Sequence, residues 1–84
     1  MFYTYVLFSE MDEDFYIGYA KDLKKRFEEH QSGKVLSTAP RRPFKLVYYE
    51  ACLDETDAIA REKILKTGYG RKYIKGRIAN SLKS

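Results

Sequence analysis

The sequence predicts an α+β domain: a small three-stranded, largely antiparallel sheet with flanking helices, in the order β-β-α-β-α-α. Runs rich in β-branched and aromatic residues recur at Phe2–Phe8, Phe15–Tyr19 and Phe44–Ala51, the composition of strands. Between and after them the pattern changes to helical spacing with polar starts and glycine stops. At 84 residues the chain is the size of one small domain, so residues 1–84 are read as a single unit.

The elements follow in order. Phe2–Phe8 (FYTYVLF) and Phe15–Tyr19 (FYIGY) form a hairpin across the polar turn Ser9–Asp14. That turn is acidic, but it lacks the glycine and terminal glutamate of an EF-hand loop and is expected to be solvated. Gly18, inside the second strand, marks a close backbone approach or a bulge. Lys21–His30 is helical, with Asp22 near its start; Leu23 and Phe27 define the inward face, and Arg26 and His30 fall on or beside it. Gly33 caps this helix, and a loop follows from Lys34 to Pro43, long enough to be functional. After the third strand, the acidic start Asp54–Asp57 opens a helix running to about Lys66. Thr67–Gly70 breaks it, and Arg71 to about Leu82 forms a last, basic helix.

Composition removes several classes of function. With 44% hydrophobic and 15% aromatic residues the chain is expected to fold, and no apolar run is long enough for a membrane span or a secretory signal. The lone cysteine, Cys52, forms no internal disulfide, which points to the cytoplasm. One histidine and one cysteine cannot make a structural zinc site, so any metal must be hard and oxygen-ligated, as Mg2+ is. Charge is distributed unevenly: residues 1–60 carry a net −3 and residues 61–84 a net +7. A polyanion partner fits this asymmetry, as does a solvated helical surface. The candidate phosphate-binding residues are Arg41 and Arg42 in the loop and Arg71, Lys72 and Lys75 in the last helix.

Two charges do not fit a purely structural reading. Glu62 lies on the apolar face of its helix between Ile59 and the pair Ala58 and Leu65, which is costly unless the carboxylate is paired or binds a cation. Arg26 poses the same question one helix earlier. The two could neutralise each other, or they could flank a phosphate with the carboxylate holding magnesium. Tyr3 and Tyr5 share one face of the first strand and Tyr16 lies on its partner; these are core packing or hydroxyl donors to one polar site.

These residues carry a family resemblance. Thr4-Tyr5-Val6, followed about ten residues later by Tyr16-Ile17-Gly18, resembles the paired tripeptides of the GIY-YIG nuclease superfamily, the second of them in full. Arg26 in DLKKRFEEH, His30 one turn on, Glu62 in AIAREKIL, and RRPFKLVYYE at Arg41–Glu50 continue the likeness from about Tyr3 to Tyr73. The Arg41–Glu50 segment resembles that of the small stand-alone UPF0213-like branch, which is related to the nuclease subunits of excision repair. The resemblance implies metal-dependent hydrolysis of a DNA phosphodiester, in repair or processing. Glu62 would hold Mg2+ (or Mn2+), and Arg26 would stabilise charge on the phosphate. Tyr5 or His30 would act as base, with Tyr16 positioning. Tyr19 stands where some members have lysine, and no asparagine follows Glu62 by about a dozen residues, where several nucleases have one. The alternative is therefore a nucleic-acid-binding module of the same fold with weak or no turnover, and a third reading is an interaction domain. DNA is the expected partner, with a homodimer or a targeting protein supplying specificity, and no membrane.

Overall fold

The protein, described from a computed structural model over residues 1–83, folds in three layers. Strands β1 (Phe2–Ser9), β2 (Phe15–Ala20) and β3 (Phe44–Cys52) form one antiparallel sheet in the order β2-β1-β3. Helix α1 (Leu23–Gln31) lies on one face, and α2 (Glu55–Leu65) with α3 (Gly68–Arg77) on the other; a short α4 (Ala79–Lys83) follows. The predicted fold class and order hold. Among the described residues no helix is long and apolar enough to cross a membrane.

β1 is central, so both its faces are covered and Thr4–Leu7 are all buried. Its alternation feeds two cores. Val6 packs with Phe15, Leu65, Ile74 and Ile78 on the α2/α3 side. Tyr5 and Leu7 pack with Ala20 and Phe44 on the α1 side, where Leu23 and Phe27 supply the inward stripe of the helix. Between Val6 and Leu7 the β1–β3 register shifts: Val6 faces Tyr48 but Leu7 faces Leu46, which leaves Val47 as the extra residue of a bulge. Alternation in the sequence does not reveal it.

Helices α1, α2 and α3 each open on a side-chain cap. Asp22 accepts from the Lys25 amide, Asp54 from those of Thr56 and Asp57, and Thr67 from that of Gly70. Thr67 is thus the first cap of α3, and the helix begins at Gly68, three residues before the predicted Arg71. The break is real, but it is a corner between two helices rather than a loop. The last helix also divides at Ile78, which the basic run of the sequence hides. Within the Lys34–Pro43 loop, Ala39–Arg41 forms a single 3₁₀ turn. Glu13 takes the left-handed conformation (φ 56°) in the β1–β2 turn. The turn is not simply solvated: Asp12 pairs with Arg41 at 2.5 Å and Asp14 with Arg71, which ties the hairpin to the loop and to α3.

Gly70 explains the tight α2–α3 corner, since a β-carbon there would lie 2.3 Å from Leu65 Cα and 2.4 Å from its carbonyl oxygen. Gly76, on the same helix, has nothing within 4 Å. Alanine at the two positions should therefore have opposite signs. Gly70→Ala is expected to lose about 2 kcal/mol through overpacking against backbone, and Gly76→Ala to gain up to about 1 kcal/mol from helix propensity. Urea unfolding of both variants checks this; a stabilised Gly70→Ala would contradict the corner.

Candidate active site

Tyr5 and His30 form the buried centre of the α1 side. The alternation of β1 turns Tyr5 toward α1, and His30, one turn beyond Arg26 on that helix, meets it: Tyr5 Oη and His30 Nε2 are 2.9 Å apart, with the two residues 1% and 0% exposed. The other ring nitrogen, Nδ1, lies 2.8 Å from Thr38 Oγ1. Tyr5, Tyr16 and Phe44 surround the imidazole edge-on, at ring-centroid distances of 5.8, 5.0 and 6.0 Å. Among the described residues no buried side-chain nitrogen or oxygen lacks a partner.

Gly18 makes this arrangement possible. It faces Tyr5 across the β1–β2 pair, and a β-carbon on it would lie 2.4 Å from both Tyr5 Cζ and Oη. The phenol ring therefore lies directly against bare backbone, the close approach that is one of the two readings the sequence allows for this glycine.

The electrostatics of the site draw in the remaining candidates. Burial pushes the Tyr5 hydroxyl up to about 12; Arg26 pulls it down through a side-chain hydrogen bond, while Tyr16 and Glu62 push it up. Burial, reinforced by the charge of Arg26, holds His30 down at about 4, so the imidazole is neutral at pH 7. Tyr5 from β1, Tyr16 from β2 and His30 from α1 are thus in direct contact, and the charges of Arg26 on α1 and Glu62 on α2 act on the Tyr5 hydroxyl. Arg26 and Glu62 do not pair with each other. Arg26 meets Glu29 at 3.2 Å, both partly exposed, and Glu62 meets the exposed Lys66 at 2.9 Å, each pair within its own helix. Such pairs are worth about 0–1 kcal/mol and are easily exchanged. No group of three or more His, Cys, Asp or Glu converges among the described residues.

The basic candidates fall into two groups. Arg41 is held by Asp12 and lies 5.8 Å over the Phe44 ring, and Arg71 is held by Asp14; both brace the hairpin turn. Arg42 is exposed and donates to the Ala39 carbonyl at 2.8 Å. Lys72 and Lys75 are exposed on α3, without an ion pair among the described residues. Tyr3 does not join the site: it contacts Tyr49 edge-on and lines an apolar groove of about 850 Å³ with Leu23, Phe27 and Leu46. Tyr19 donates to Glu55, and Ile74, in the region where several nucleases carry asparagine, is fully buried. Sequence reading missed Thr38, a buried hydroxyl in a polar loop with no periodicity to single it out. It also missed the Glu50–Arg61 fork, whose bonds of 2.8 and 2.9 Å sit beside Tyr48 and Tyr73 on the opposite face.

The sheet carries two strand tyrosines against a helix with arginine and histidine, with a glutamate on the next helix. Residues 1–75 match the family described as the GIY-YIG catalytic domain. The chain is 36% identical over 77 residues to a UPF0213 protein of Pediococcus acidilactici, covering 88% of this chain and 78% of that one. It is 40% identical over 65 residues to one from Staphylococcus saprophyticus, covering 76% and 79%. The solution NMR structure of a UPF0213 protein from Bacillus halodurans superimposes with a TM-score of 0.55 at 31% identity, covering 88% of this chain and 82% of that one. The chain belongs to the GIY-YIG family, and its relatives there are the small UPF0213 proteins.

The buried imidazole sets a pH dependence. Its folded pKa of about 4 lies below the ordinary 6.5, so its stabilising contribution is complete above pH 6.5 and is lost as pH falls toward 4, where the unfolded chain takes up a proton that the folded one refuses. The loss is at most about 3 kcal/mol. Because His30 is the single histidine, its ring resonances are unambiguous. They should show no titration between pH 8 and pH 5.5, while thermal stability declines below pH 6.5; a midpoint near 6.5 would contradict the burial.

Proposed function

We propose that the protein is a metal-dependent endonuclease that hydrolyses a phosphodiester of DNA, in repair or processing. The nuclease-type family supports this reading, as does one observation: the buried Tyr5–His30 pair touches Tyr16 and feels the charges of Arg26 and Glu62, whose ion pairs among the described residues are both local. A structural ion pair between Arg26 and Glu62 would have argued for packing alone. Each instead remains available to a ligand.

The donor set suits a hard ion. Magnesium keeps most of its waters and takes one or two carboxylates with phosphate oxygens, which is what Glu62 and a substrate would offer. When bound, the ion would polarise the phosphoryl group and stabilise the leaving oxygen. The chain's own residues do the rest. Arg26, half-buried and always charged, would grip the phosphate with its planar fork on leaving Glu29. Tyr5 would hold the attacking water and take its proton while passing its own to His30 Nε2. A phenol held up near 12 does not act as a preformed phenolate at pH 7, so it can take the water's proton only as its own passes to the His30 Nε2 it faces. The pair therefore serves as base, rather than Tyr5 or His30 alone. Tyr16 would orient the water from the rim. Lys72 and Lys75, with Arg42, would add phosphate contacts that weaken with salt; Arg41 and Arg71 would join them only on leaving their aspartates.

Two substitutions test the reading. Glu62→Gln and Arg26→Lys should fold and bind DNA nearly as the unaltered protein does. Magnesium-dependent single-turnover cleavage should fall by about 10²-fold or more in each, from the lost metal ligand and the lost fork respectively. The assay uses duplex, single-stranded and branched DNA, with magnesium and with chelator. Binding without any cleavage by the unaltered protein would favour the non-catalytic module.

A further inference from the structure

Thr38 does something unusual for its position. It stands just before the 3₁₀ turn Ala39–Arg41, where a threonine hydroxyl ordinarily caps backbone amides, yet its side chain makes no capping bond. Its hydroxyl instead lies 2.8 Å from His30 Nδ1 and 3.3 Å from the carbonyl oxygen of Val35, and the residue is 1% exposed. The Val35 carbonyl also accepts from the amides of Thr38 and Ala39 at 3.1 and 2.9 Å, so the acceptor is fixed by the turn.

The hydrogen bonds admit one consistent direction. A carbonyl can only accept, so the Thr38 proton goes to Val35 and the Thr38 oxygen must accept from His30 Nδ1–H. At the other end the buried Tyr5 hydroxyl has His30 Nε2 as its hydrogen-bond partner among the described residues, so the Tyr5 proton goes there. Both ends demand the same imidazole: protonated at Nδ1 and bare at Nε2. The reverse tautomer would turn an N–H onto the Tyr5 oxygen and would leave the phenol proton and the Val35 contact unmatched.

We infer that Thr38 is a positioning residue for catalysis, holding His30 in the tautomer whose bare Nε2 receives the Tyr5 proton. This rests on the nuclease reading for its purpose, although the tautomer itself does not. In the step it supports, the attacking water loses a proton to Tyr5 Oη as the Tyr5 proton passes to Nε2, giving an imidazolium whose Nδ1–H stays on Thr38. The new P–O bond forms and the old one breaks, the leaving oxygen takes a proton from bulk water, and the imidazolium returns its proton through Tyr5 to bulk water. Nothing else is consumed.

The test compares the unaltered protein with Thr38→Val, which keeps the shape without the hydroxyl, and Thr38→Ser, which restores it. Long-range ¹H–¹⁵N correlation on the single histidine at neutral pH, without DNA, reports the tautomer directly. The unaltered protein and Thr38→Ser should show Nδ1 protonated and Nε2 bare; Thr38→Val should show a mixture or the reverse. Single-turnover cleavage should fall about tenfold or more in Thr38→Val at unchanged DNA affinity and recover in Thr38→Ser. An Nε2–H tautomer in the unaltered protein overturns the inference even if Thr38→Val fails to fold, as does a Thr38→Val variant that keeps the Nδ1–H form. An unaltered protein with the expected tautomer but no cleavage of any DNA sinks the nuclease reading and, with it, the catalytic purpose of Thr38, leaving only the tautomer lock.

Discussion

The α1 side of this protein is organised by the need to satisfy one buried phenol and one buried imidazole. An unpaired polar group in such surroundings costs about 1–3 kcal/mol, so each must find a partner inside the fold. Tyr5 finds His30, and His30 finds Thr38. The missing side chain of Gly18 gives the phenol its place, and the Lys34–Pro43 segment must fold inward to deliver the threonine. Sheet, helix and loop are thereby committed to one relative arrangement. The Gln31 side chain, accepting from the Phe44 amide at 2.8 Å, closes the same circuit between the end of α1 and the start of β3.

Against that fixed interior, the charged groups are loosely held. Arg26 and Glu62 lean on neighbours one turn away in their own helices, at the surface, where ion pairs contribute little. The contrast between a rigid neutral relay and two readily exchanged charges is the division expected of a site that meets an anion: orientation is built in, and neutralisation waits for the ligand. The Glu50–Arg61 fork on the opposite face behaves differently, with two bonds, a stacked Tyr73 and the Tyr48 hydroxyl fixing it in place. That fork is structural.

Much of this was legible in the sequence because it depends on local pattern. Strand composition located all three strands, Asp22 and Asp54 marked two helix starts, and Gly18 announced a close approach or a bulge. Arg26 and Glu62 could be picked out because each is charged on a face that should be apolar, and Tyr5, Tyr16 and His30 through the order and spacing of the family resemblance. Other features depend on contacts distant in sequence. Thr67 reads as part of a breaker but is a cap, because the corner that needs Gly70 is set by Leu65. Arg41 and Arg71 read as phosphate ligands, yet each meets an aspartate of the hairpin turn. Thr38 carries no sign of its role, since only the folded loop brings it to His30.

The central claim is that the Tyr5 hydroxyl serves chemistry as well as packing. Tyr5→Phe addresses it most directly, because phenylalanine fills the same space over Gly18 and removes only the oxygen. The variant should fold, with about 1–2 kcal/mol lost to the unsatisfied imidazole, and should bind DNA as before. Its magnesium-dependent cleavage, measured in single turnover beside the unaltered protein, should fall by at least about 10²-fold, the usual scale of lost general-base catalysis. Cleavage at the normal rate by a folded Tyr5→Phe protein would show that the hydroxyl only completes the core, and the account of the site would be wrong.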